Sequence, residues 1–167
     1  MSRLQIAMLS VFAGILVVLM CITVKLANDQ KASTDIGFVR PEFDTMAVVG
    51  EPTDVPEELD FRAAQLKEGY AVGLCGNLQA SEDGAVDIYF TSFEGNKYWV
   101  RIALYTEDGK KLGSSGMLKP GEYVQSVKLD NMPTKNTVVV AKILSYEPDT
   151  YYSMGSANVK INMNVRK

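Results

Sequence analysis

Histidine is absent from the 167 residues. That removes the commonest general base and the commonest metal ligand. A Ser-His-Asp triad, a Cys-His pair and a histidine zinc site are therefore impossible. Cysteine is nearly absent too, with only Cys21 and Cys75. They stand in different parts of the chain, so an internal disulfide framework is not expected. An exported domain of ~100 residues without a disulfide is unusual where oxidative folding is routine, and ordinary in Gram-positive bacteria. Strong charge is missing as well, the formal net charge being −3. A domain without a basic face is not a nucleic-acid binder. Calcium chemistry lacks its spacing: Asp83, Asp87, Asp108 and Asp149 occur singly, with no D-x-D-x-D-G pattern, and read as solvated turn carboxylates. Without a nucleophile motif or ligand cluster, the expectation is a non-catalytic protein with no cofactor.

What the chain does have is an uncharged apolar run from Ile6 to Val24. Its length suits a helix crossing a ~30 Å hydrocarbon core. Its two hydroxyls, Ser10 and Thr23, can bond back to helix carbonyls. A cleaved signal peptide and a lipoprotein signal are the competing readings. Lys25-Leu26-Ala27 puts lysine where a cleavage site wants a small residue. Met20 stands where a lipid-attachment site at Cys21 wants one. The expectation is an uncleaved signal-anchor over 6–24, a cytoplasmic tail over 1–5, and the rest of the chain outside the membrane. Arg3 faces Lys25 and Lys31 across the run, so the positive-inside signal is weak. Ser10 and Gly14 form a small-residue face that could associate membrane helices.

Charge then shifts along the chain. Residues 27–68 carry ten acidic residues against four basic ones, whereas residues 69–167 carry ten against eleven. The stretch Gly50-Glu51-Pro52-Thr53-Asp54-Val55-Pro56-Glu57-Glu58 has two prolines and no apolar period, which favours extended, solvated chain. Residues 25–68 read as an acidic extracytoplasmic stalk, able to span up to ~130 Å when extended. Leu59, Phe61, Ala64 and Leu66 have the spacing for one or two helical turns that would dock on the domain or a partner, but the favoured reading is a loosely ordered approach to the first strand.

From Gly69 the apolar period becomes two. Ala157, Val159, Ile161, Met163 and Val165 alternate with polar residues, as in an antiparallel strand with one wet face. Val86, Ile88 and Phe90 alternate in the same way, as do Tyr98, Val100, Ile102 and Leu104. Further strands are expected at 71–78, 111–118, 122–129 and 137–146. Glu94-Gly95-Asn96, Asp108-Gly109, Pro120-Gly121 and Asn131-Met132-Pro133 are turn signals between them. About seven short strands over 69–167 predict an all-β fold, an immunoglobulin-like antiparallel sandwich preceded by one transmembrane helix.

The layout includes the short N-terminal anchor and the Val55-Pro56-Glu57-Glu58-Leu59 approach. It also includes the Leu118-Lys119-Pro120-Gly121-Glu122-Tyr123 turn and the Ala157-Asn158-Val159 final strand. Taken over the whole chain, this layout resembles the small single-pass surface proteins with an immunoglobulin-like domain found in Gram-positive gut bacteria. The resemblance implies a surface location and a non-catalytic domain. It carries over no functional residues.

Candidate binding residues come from the strands. Trp99, Arg101 and Tyr105 share one strand face, opposite Val100, Ile102 and Leu104, and would form an exposed aromatic and cationic stripe. Tyr146, Tyr151 and Tyr152 flank the loop before the last strand and would form a recognition tip. Against both stands the reading that these aromatics are packed under a loop or under the stalk. Cys75 has no activating neighbour in sequence and reads as buried and inert. The expected function is a membrane-anchored interaction protein, an adhesion or envelope-assembly subunit with a protein partner or self-association. The alternative is a carbohydrate or wall-polymer binder stacking sugars on the exposed aromatics.

Overall fold

Period-two alternation separates a dry side from a wet side in strand after strand. The fold is seen in a computed structural model describing residues 40–66 and 70–165. The expected tail (1–5), anchor (6–24), Ser10 and Gly14 lie outside the described residues. So does the expected stalk as far as Val39. No helix among the described residues is long and apolar enough to cross a membrane.

The described chain is all-β. Its strands are β1 (Val48–Val49), β2 (Phe61–Gln65), β3 (Ala71–Cys75), β4 (Asn77–Ala80), β5 (Ala85–Ser92), β6 (Trp99–Thr106), β7 (Lys111–Ser114), β8 (Glu122–Lys128), β9 (Thr137–Tyr146) and β10 (Ser153–Val165). They make one curled, mixed sheet in the order β1-β8-β5-β4-β10-β9-β6-β7, with β2 and β3 joined on through β3–β5 pairing. Every pair is antiparallel except β4 with β10, which run parallel. A bridge between Gly113 and Leu129 brings β7 against the end of β8 and helps curl the sheet.

The strand expected over 71–78 is divided at Gly76 into β3 and β4. Gly76 donates its N–H to the Asp60 carbonyl at 2.9 Å. A Cβ there would lie 2.7 Å from Asp60 Oδ2, so a side chain would have to displace the Asp60 carboxylate. The break moves the chain from one half of β5 to the other. β3 pairs with the second half of β5 at Thr91 and Ser92, and β4 pairs with the first half at Val86 and Asp87. A bulge in β5 between those halves, with Tyr89 at φ 48, supplies the bend.

The core collects the inward rows: Val86, Ile88 and Phe90 of β5, Val100, Ile102 and Leu104 of β6, and Val139, Ala141 and Ile143 of β9 are fully buried. Each Val, Leu, Ile or Phe among them stabilises the fold by about 1.5–3 kcal/mol relative to exposure. The face assignment read for β6 holds in its core half, since the residues between Trp99, Arg101 and Tyr105 are the buried ones.

The segment before Gly69 differs most from expectation. The compact unit begins at Arg40, not at Gly69. Residues 40–66 strap the domain instead of standing off it. Asp44 donates its N–H to the Met117 carbonyl at 2.9 Å, and Met117 donates to the Glu42 carbonyl at 2.8 Å. The Gly116 N–H donates to Asp44 Oδ2 at 2.7 Å. The chain then adds β1 to β8, makes a 3-10 turn at Glu57–Leu59 and adds β2 to β3. Leu59 is only 2 % exposed. In place of the loosely ordered approach expected here, or the helical turns that were its alternative, the chain from Phe61 is strand, because Phe61 and Ala64 pack on the core from the free edge of β3. Burial of a few apolar residues and pairing to open strand edges outweigh an acidic, proline-containing composition.

Candidate functional site

Two features stand out: an aromatic cluster where the described chain begins, and a groove between β2 and β10.

The cluster forms because three segments converge on Trp99, the first residue of β6. Trp99 lies opposite Tyr146 in β9. The strap brings Phe43 to it, with ring centroids 4.8 Å apart and planes at 72°. The loop after β9 brings Tyr151, at 5.0 Å and 70°. Such edge-to-face pairs contribute about 0.5–1.5 kcal/mol each beyond area burial. Tyr151 has φ 61, a left-handed backbone that costs a residue of this kind on the order of 1–3 kcal/mol. The loop holds it there: Tyr151 donates its N–H to the Glu147 carbonyl at 2.8 Å, and Glu147 donates to the Tyr152 carbonyl at 3.0 Å. Arg40 lies over the Tyr151 ring and Lys119 over the Phe43 ring, each 4.9 Å from the centroid.

The candidate residues are therefore only partly brought together. Trp99 and Tyr151 meet, Tyr146 is buried opposite Trp99 on β9, and Tyr152, next to Tyr151 in the chain, is 66 % exposed. Arg101 is half-buried lower on β6, where its Nη2 donates to Ser114 Oγ at 3.0 Å and its buried Nε has no partner. Tyr105 lies farther along, opposite Val140 and Lys111. Ala103 between Arg101 and Tyr105 is buried, so the expected stripe is interrupted. Sequence reading missed Arg40 and Phe43 because they lie in the acidic stretch. The signal available was Phe43 itself, a large aromatic in a segment otherwise short of them.

By its sequence the last strand reads as a candidate sheet edge, with Lys160 and Arg166 as protection against unwanted pairing and another protein's strand as the alternative; the groove beside it is not visible there. β10 pairs with β9 along its length, but β4 meets it only from Asn162 onward. Among the described residues the other edge of β10 is thus unpaired from Ser153 to Ile161, about 30 Å of strand. Ala63 and Ala64 of β2 form the far wall, and Leu74, Cys75 and Ile161 the apolar base of a space of about 440 Å³. Arg62, paired with Asp60 at 2.7 Å, and Lys160, paired with Glu107 at 2.8 Å, rim it. Burial pushes the Cys75 thiol up to about 12, and the Asp87 and Asp60 carboxylates add to the shift. A thiol so protonated at neutral pH is no nucleophile. Among the described residues no three His, Cys, Asp or Glu side chains gather to hold a metal ion.

The chain matches no known protein family and no curated protein.

Proposed function

We propose that this chain is a non-catalytic, membrane-anchored surface protein, with an immunoglobulin-like domain that binds a protein partner outside the membrane. The apolar run over 6–24 supports the anchor. The pairing order supports the immunoglobulin-like reading. β3–β5–β8 and β10–β9–β6–β7 are two runs of neighbours, and β4, which pairs with both β5 and β10, joins them into one curled sheet. An immunoglobulin-like sandwich divides its strands in a comparable way.

The observation that carries the interaction role is the open edge of β10 beside an apolar-based groove. An extended segment of another protein can add to such an edge, gaining main-chain hydrogen bonds while its side chains fill the groove. Sugar stacking has less support, because Trp99 is flanked edge-to-face by Phe43 and Tyr151 and offers no coplanar row. To test the reading, a photo-crosslinking amino acid would replace Ala63 in the groove, or Glu82 on a remote turn, in the full chain on intact cells. The expected result is a protein adduct of one defined mass from position 63 and none from position 82. No adduct at 63, or equal labelling at both positions, would refute the groove as the binding surface.

A further inference from the structure

The large hydrophobic side chains exposed among the described residues are Phe43, Met46, Val48, Val49, Tyr152 and Met154. They come from two short stretches far apart in sequence, 43–49 and 152–154. The Phe43–Trp99–Tyr151 stack joins those stretches into one region. The exposure there is large, with Val49 at 83 % and Met46 at 74 %. Exposed apolar residues concentrated in one region of a domain mark something that covers them.

Position along the chain says what. The stack is built on Arg40 and Phe43, the first residues of the compact unit. Only residues 25–39 separate it from the end of the apolar run. Fifteen residues reach at most ~50 Å. That bounds how far this region can stand from the end of the apolar run, well below the ~130 Å expected of the full stalk. The side chains match a location at the bilayer surface. Tyrosine and tryptophan collect at the headgroup level, where an apolar ring and a polar tip are both satisfied. Arg40 and Lys119, lying over aromatic rings, carry cations to the same edge, where lipid phosphates are the available anions. Glu42, Asp44 and Glu147 also lie close by, so aromatic and apolar insertion, not net charge, supplies the attraction.

We infer that the Phe43/Trp99/Tyr151 region, with Met46, Val49 and Tyr152 around it, is a membrane-docking face that rests on the headgroup layer. The inference rests on the anchored reading above.

Trp99 is the only tryptophan, so its fluorescence reports on this face directly. The full chain would be reconstituted into phosphatidylcholine–phosphatidylglycerol vesicles, with and without lipids brominated near the headgroup. Docking predicts a blue-shifted Trp99 emission, roughly twofold quenching by the brominated lipid and protection from aqueous iodide, the signature of an interfacial indole. Val49→Asp combined with Tyr152→Asp, both at exposed positions, is expected to restore iodide access while the protein still floats with the vesicles. If the protein floats but Trp99 ignores the brominated lipid, docking is overturned and the anchor stands. If protection follows the protein-to-lipid ratio instead of lipid chemistry, a second copy covers the face and docking is equally overturned. If the protein does not float, the anchored reading fails and takes this inference with it.

Discussion

Gly116→Ala is the sharpest perturbation of the strap. The backbone at Gly116 does not occupy the left-handed region, so alanine meets no conformational penalty of its own. The added Cβ would, however, fall 2.5 Å from Asp44 Cα and 2.7 Å from the Phe43 carbonyl carbon. These are backbone atoms that cannot rotate away, so the strap must lift. Lifting breaks the two backbone hydrogen bonds between Glu42/Asp44 and Met117 and the one from Gly116 to the Asp44 carboxylate. At about 1 kcal/mol net for each neutral bond and about 2 for the charged acceptor, the loss is about 4 kcal/mol. The ~0.4–1 kcal/mol that Gly→Ala gains through the unfolded chain reduces it to about 3 kcal/mol. With a urea slope of about 2 kcal/mol/M for a domain of this size, the midpoint falls by about 1.5 M. Phe43 leaves Trp99 at the same time, so the native emission shifts to the red. An unchanged emission maximum together with a midpoint within ~0.2 M of the parent would refute the claim that the strap is pinned here.

Other perturbations follow from the same geometry. Leu59→Ala removes a side chain buried at 2 % exposure and is expected to destabilise the protein by about 2–4 kcal/mol in urea titration. A stalk residue would show no change. Asn96→Ala deletes the amide that accepts from the Ala71 N–H at 2.9 Å and donates to the Ala71 carbonyl at 2.7 Å. Leaving both backbone groups of β3 unsatisfied is expected to cost about 2–4 kcal/mol and to raise hydrogen exchange at Ala71 selectively. The Cys75 thiol, held up to about 12 against an ordinary 9.0, is expected to resist a thiol reagent at pH 8 until urea unfolds the chain. Because the folded form keeps this proton longer than the unfolded form, its contribution is complete below pH 9 and is lost as pH rises toward 12. Cys75→Ala is expected to flatten that alkaline decline, and an equally steep fall in both proteins would show that other groups cause it.

Much of the strand content was readable from residues alone, because a strand with one dry face writes its period into the chain. β9 occupies 137–146 as expected, and β5, β6 and β8 fall within two residues of their expected limits. The Val100, Ile102 and Leu104 row could be assigned to the core for the same local reason. Absence of histidine excluded whole classes of chemistry before any coordinate was known. The strap was not readable, since Asp44, Leu59 and Phe61 gain their value from Gly116, the core and the open edge of β3, all distant in sequence. Composition reports what a segment prefers when solvated, and the tertiary structure supplies the edges that override it. The β10 groove was hidden because Gly76 and the β5 bulge decide which half of β5 each of β3 and β4 meets and where β4 reaches β10, and alternation is blind to pairing. The aromatic cluster was half legible: Trp99 and Tyr151 could be named, but only the folded chain brings Arg40 and Phe43 to them. Local periodicity thus determined the strands and their buried faces. Long-range packing decided where the domain begins, which edge stays open and which side chains share a surface.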